Sequence, residues 1–271
     1  AGKGKKAAYR FRFIYRPGLS WSDDEIRTLV AQMREVASSC FELIPEYQAL
    51  TGLREELADT VIAAAWRPDG TMAGFCSTVI LRVAGVGDVQ HLGLTCVRPE
   101  DRSMGLTHML THKAVAGYLV RHKPVVGRLW ISNCAAVLSS LVNVSLHFEN
   151  VYPSPVSAAC ATDTHRAIAE AIDRHYRHKI YINDDAAFDK KSFVFKNSVK
   201  DTVFQKSSDV GEAIEGDLVR INLFLRFFTV HQVGHLLSQF LDGPFSCAGN
   251  GLKGAHHDSL DSGGIVDRLE G

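Results

Sequence analysis

From Tyr9 to Arg16 the side chains alternate, with Phe11, Phe13 and Tyr15 on one side and Arg10, Arg12 and Ile14 on the other. This period of two predicts a strand that Pro17-Gly18 stops. Ser22-Asp23-Asp24-Glu25 then has the form of a capping box. Ile26, Leu29, Val30, Met33, Val36, Ala37, Cys40, Phe41 and Ile44 follow at steps of three and four, so an amphipathic helix is expected up to Pro45. Glu46–Leu57 gives a weaker helical pattern. Thr60–Arg67 and Met72–Val83 read as strands joined by the turn Pro68-Asp69-Gly70, and Val89–Val97 as a third apolar run. After Pro99 the period changes: Leu106, Met109, Leu110, Ala114 and Gly117 share a helical face. A short strand at Leu129–Cys134 and a serine-rich helix at Ala135–Phe148 complete the first half.

The pattern thins beyond Pro153 and Pro155. Thr164–His178 reads as a helix, Ser192–Lys196 and Thr202–Gln205 as short strands, residues 219–227 as a longer strand, and Val230–Leu241 as a last helix. Strands before and between helices, with a hairpin among them, predict a mixed α/β (α+β) sheet flanked by helices. The expected divisions are a disordered tail at 1–8, a core at 9–153, an extension at 154–242 that completes the sheet, and a loose tail at 243–271.

Composition narrows the function classes. Thirty basic residues balance thirty acidic ones, so no charge excess draws the chain to nucleic acid or to an anionic membrane. No apolar run reaches the ~18 residues of a membrane span. Six scattered cysteines without a C-x-x-C pair read as reduced, buried residues. With no signal peptide visible, the chain reads as cytoplasmic.

One segment carries candidate chemistry. Around Cys96, Val97 and Arg98 a strand ends, and Pro99-Glu100-Asp101-Arg102-Ser103-Met104-Gly105 makes a turn into a helix that opens with Leu106 and Thr107. A strand-to-helix turn offers free backbone N–H groups and the positive end of the helix dipole, a setting that suits a diphosphate. Gly105 lets the backbone approach such a group, and Arg102 adds a charge-assisted contact. The segment resembles the pyrophosphate loop V-x-P-x-x-R/Q-x-x-G-x-G/A of the GNAT superfamily of acyl-CoA-dependent N-acyltransferases. It matches at Val97, Pro99, Arg102 and Gly105, with Thr107 in place of the usual Gly or Ala. The element order from Tyr9 to Tyr152 is similar to the superfamily core.

The resemblance implies a mostly antiparallel central sheet and acetyl-CoA or another acyl-CoA as co-substrate. It further implies attack by a small-molecule amine within a ternary complex, and a role for Asn133 beside the cofactor. The base position falls on His91, fourteen residues before Gly105, which is expected on the strand face of Thr95 and Val97. The usual acidic tyrosine is replaced by Ser140, with Tyr152 and His147 nearby as substitutes. Two other readings stay open: a GNAT-like decarboxylase of a malonyl thioester, in which His91 and Thr95 polarise the carbonyl, and a non-catalytic binding module. His231 and His235 have the spacing of a zinc helix, but Gln232 stands where a catalytic Glu is needed, and a solvated helix face explains them better.

Overall fold

The first strand and the first helix signal form where the sequence places them. The computed structural model describes residues 9–122, 128–135, 149–153, 160–196, 198 and 221–229. Strand β1 (Arg10–Tyr15) runs through one helical turn, α1 (Pro17–Ser20), which the pattern did not signal, into α2 (Asp23–Ser38). Ser22 Oγ accepts from the Glu25 amide at 3.4 Å and the Glu25 carboxylate accepts from the Ser22 amide at 2.8 Å, so two free donors of the helix start are satisfied. Ile26, Leu29, Val30, Met33, Val36 and Ala37 form the buried stripe of α2.

The helix stops at Ser38, short of the expected Ile44. Here the hydroxyls of Ser38 and Ser39 donate to the carbonyls of Glu35 and Val36, competing with helix continuation. Cys40 and Phe41 are buried all the same. The helix expected over Glu46–Leu57 resolves into a 3-10 turn, Gln48–Leu50, and a single turn, α3 (Arg54–Leu57), with Gly52 between them.

The chain continues through β2 (Thr60–Trp66), β3 (Met72–Val83), β4 (Gly87–Val97), a 3-10 turn (Pro99–Met104), α4 (Leu106–His122), β5 (Arg128–Ala135) and β6 (Glu149–Tyr152). Then follow α5 (Asp163–Ala171), which runs on as a π-helical turn (Ile172–Tyr176), and β7 (Ala187–Asp189), β8 (Val194–Lys196) and β9 (Ile221–Thr229). Ala135, expected to open a helix, instead ends β5; the rest of that element at 136–148, those at 202–205 and 230–241, both tails, and His147, Ser140, His231 and His235 lie outside the described residues.

All nine described strands join one sheet in the order β1-β2-β3-β4-β5-β9-β8-β7, with β6 also paired to β9. Only the β4–β5 pair is parallel among these. The sheet is thus mixed and mostly antiparallel, and β7, β8 and β9 are part of it. Helix α4 covers one face, where Leu106, Leu110 and Ala114 meet Ala63, Cys76 and Val97. The opposite face is covered by α2 beside β1–β3 and by α5 beside β3–β5.

Residues after 160 are fastened to the first half by polar contacts. Tyr176 donates to the Arg82 carbonyl at 2.6 Å, and Lys179 reaches Asp59 at 2.8 Å. Asp59 also meets Arg16 and Arg82, each at 3.1 Å. Burial raises the Asp59 carboxyl, but the bond from Lys179 and the three cations outweigh it and hold the group below its ordinary value. A carboxylate depressed in the fold stabilises above its unfolded pKa and loses that contribution as pH falls. Asp59→Asn should therefore cost about 1–3 kcal/mol at pH 7 in urea unfolding, with the deficit shrinking below roughly pH 4. A deficit that stays constant across that range would rule out the charge as its source.

Candidate active site

Strand β4 is irregular in the middle, and the irregularity organises the site. Leu92 stands opposite Thr78 and Thr95 opposite Cys76, so Gly93 and Leu94 together oppose the single residue Ser77. This bulge reverses the side-chain alternation. Before it, Val89 and His91 face the α5 layer and Leu92 the α4 layer; after it, Leu94 and Cys96 face α2 while Thr95 and Val97 turn to α4. The expectation that His91 shares a face with Thr95 and Val97 is corrected by that extra residue.

At the same point β4 and β5 part. Their parallel ladder runs from Val89 opposite Trp130 to Leu92 opposite Asn133 and ends there. Strand β4 goes on to Val97 along β3, and β5 goes on to Ala135 along β9. Gly93–Val97 therefore presents a strand edge that is not laddered to β5, and this edge leads directly into the turn at Pro99–Met104.

That turn is clamped from behind. The buried Asp101 carboxylate accepts from Tyr9 Oη at 2.6 Å and is bridged by Arg67, whose guanidinium also reaches Glu100 at 2.7 Å. Arg98 donates to the Met72 carbonyl at 2.8 Å and pairs with Glu35 at 2.6 Å, so its charge ties the turn to β3 and α2. Arg102 is exposed, with Nε 3.4 Å from the Val97 carbonyl. Gly105 has φ +72°, a left-handed conformation that favours glycine, and the space where a Cβ would stand is open. The Gly105 backbone is therefore open to approach from that side.

The proposed cofactor residues divide accordingly. Arg102, Gly105 and Thr107 are exposed at the turn, Met104 and Asn133 are half-buried, and Cys96, Val97 and Leu106 are buried. Ser103 lies within the turn. Cys96 points into the α2 layer together with Cys40, so only its backbone lies along the β4 edge.

His91 is sealed in the protein, 1% exposed, with Nδ1 2.9 Å from Ser132 Oγ on β5. Burial lowers its imidazole to about 3, which keeps the ring neutral and makes it a weak proton acceptor. This placement suits a positioning contact between β4 and β5 better than a general base. Tyr152 donates to the Lys191 carbonyl at 2.9 Å and packs edge-on against Phe193 at 4.9 Å, which ties it to the α5 layer.

A cluster that the sequence pattern did not single out stands at the parting itself. Ser77 Oγ donates to Gln48 Oε1 at 3.0 Å, and Gln48 Nε2 donates to Tyr47 Oη at 2.8 Å. The Gln48 side chain lies flat on β4: a Cβ added to Gly93 would stand 2.2 Å from Gln48 Oε1. Gln48 itself has φ +47°, a conformation costing a non-glycine residue about 1–2 kcal/mol. The Tyr47 ring stacks at a tilt on Tyr181, with centroids 5.5 Å apart. An isolated glycine inside the apolar run Val89–Val97 was the one available sign of a bulge or a close approach here.

No protein-family model matches the chain, and neither does any curated protein. Solved structures do overlap with it. A protein described as a GNAT-family acetyltransferase from Desulfovibrio desulfuricans is 18% identical with a TM-score of 0.36, covering 52% of this chain and 85% of its own. A GNAT-family N-acetyltransferase from Escherichia coli in complex with CoA gives 17% and 0.35, with coverage of 52% and 71%. A GNAT-family acetyltransferase from Streptococcus pneumoniae gives 12% and 0.35, with coverage of 81% and 99%. All three scores stay below 0.4, so none of these overlaps decides what the chain does. Among the described residues no helix is long and apolar enough to cross a membrane, and no His, Cys, Asp or Glu group could hold a metal ion.

Proposed function

We propose that this chain is an acyl-CoA-dependent N-acyltransferase acting on a small amine. The observation that carries the reading is the parting of β4 from β5 at Leu92 and Asn133, directly upstream of the clamped turn that ends at Gly105. A strand edge freed from its neighbour offers backbone donors and acceptors in a row, and an extended amide-containing chain can pair with them as a further strand would. Pantetheine is such a chain. The diphosphate to which pantetheine is joined in CoA would then meet the turn, where Arg102 is exposed, Gly105 is open and α4 contributes its free N–H groups.

In this arrangement the thioester comes to lie near Gly93, between the separated strands. The amine nitrogen attacks the carbonyl carbon, the C–S bond breaks, and coenzyme A leaves as a thiol while an amide forms. Bringing both reactants to one cleft converts a bimolecular step into a positioned one.

Titration calorimetry with CoA tests the reading, with a dissociation constant in the micromolar range expected. Heats indistinguishable from dilution at millimolar CoA would remove both transfer and decarboxylation. Mass spectrometry of malonyl-CoA incubated with the protein alone separates those two reactions, because only a decarboxylase yields acetyl-CoA without an amine.

A further inference from the structure

The break of a C–S bond leaves a pair of electrons on sulfur, and a thiolate leaves far more readily when a proton reaches it. We infer that Tyr47 delivers that proton, an assignment that rests on the acyl-CoA reading above. Three features of the fold lead to it. Gln48 lies against Gly93, the first β4 residue past the end of the β4–β5 ladder, so the phenol bonded to it stands at the parting of the strands. The Gln48 amide donates to Tyr47 Oη, so the phenol oxygen is already acting as an acceptor there and its own O–H is left to donate elsewhere. The amide is fixed in that orientation because Ser77 donates to its oxygen.

The electrostatics agree with a neutral donor. Desolvation raises the Tyr47 phenol well above its ordinary value, and Cys134, the β5 residue next to Asn133, acts on it in the same direction. A thiolate formed at the same place is desolvated too, so burial penalises both anions and largely cancels from the transfer. The atoms balance: the phenol proton goes to sulfur, the C–S electron pair becomes an S–H bond, and a proton shed by the amine as the amide forms restores Tyr47. Tyr181, stacked on the ring, limits its swing.

The test needs no knowledge of the amine. CoA binding to the wild-type chain and to Tyr47→Phe is measured from pH 7 to pH 10.5, and the ionisation of the bound thiol is followed by its ultraviolet absorbance. With Tyr47 donating to sulfur, the bound thiol should ionise about one pH unit higher in Tyr47→Phe. Affinity for CoA should accordingly fall about tenfold at the alkaline end and change little at pH 7. CoA lacking its sulfur should bind both proteins equally. Equal thiol ionisation in the two proteins overturns the assignment while leaving the acyl-CoA reading intact, and so does a parallel loss of affinity for the sulfur-free compound, which marks Tyr47 as packing. Failure of the wild-type chain to bind CoA overturns both.

Discussion

Lowering the pH from about 6.5 to about 4 should cost the folded chain roughly 3 kcal/mol through His91 alone. The imidazole is sealed between β4 and β5, 1% exposed, and burial holds it at about 3 against an ordinary value of 6.5. The folded state therefore binds fewer protons than the unfolded chain throughout this window. A group depressed in this way leaves stability intact above 6.5 and removes it as pH falls towards 3, at up to about 1.4 kcal/mol per pH unit. His91→Gln retains a polar side chain that can meet the Ser132 hydroxyl and has no proton to gain. Urea unfolding at a series of pH values should show the wild-type slope between 6.5 and 4 flattened in the variant, whatever its stability at pH 7. Parallel curves for the two proteins would contradict the sealed, neutral ring.

The second large effect is expected at Asp101. This carboxylate is 5% exposed and binds both Arg67 and Tyr9 Oη. Asp101→Ala leaves a guanidinium and a phenol without their shared acceptor, a loss of the kind that costs about 3 kcal/mol. Glu100 remains to hold part of the Arg67 charge, so about 2–3 kcal/mol is expected. CoA affinity should fall by tenfold or more, because the turn between Arg98 and Gly105 loses its anchor to β1 and to the β2–β3 hairpin. Glu100→Ala provides the contrast: it binds the same arginine from an exposed position and should cost under about 1 kcal/mol. Similar losses in both variants, by chemical denaturation and calorimetry, would show that the clamp does not depend on the buried carboxylate.

Local rules that act within a few residues were legible in the sequence. The Ser22–Glu25 capping box, the hairpin at Pro68-Asp69-Gly70 and the strand-to-helix turn at Pro99 all lie where the pattern places them. What escaped depends on partners far along the chain. Alternation along Val89–Val97 assumes that every residue takes one step, and the Gly93–Leu94 bulge adds a step that only the opposing Ser77 reveals. Asp101 looks like any acidic residue near a helix start until Arg67 and Tyr9 are folded onto it. The Tyr47–Gln48 pair has no periodic signature: it falls in the weak helical pattern of Glu46–Leu57, which folds as a 3-10 turn and a single helical turn instead. The turn from Pro99 to Gly105 was readable because its spacing is local; the face on which His91 lies needed the register of the whole strand.

The insertion of β9 between β5 and β8 also sets a schedule for synthesis. Strand β5 takes its second neighbour from residues that follow roughly a hundred positions later, from Arg128 opposite Thr229 to Ala135 opposite Asn222. Strands β1 to β4 can zip together on the ribosome as successive neighbours, whereas β5 must wait with one side bare until Ile221–Thr229 has left the exit tunnel. During that interval its bare side is a template for a neighbouring nascent chain.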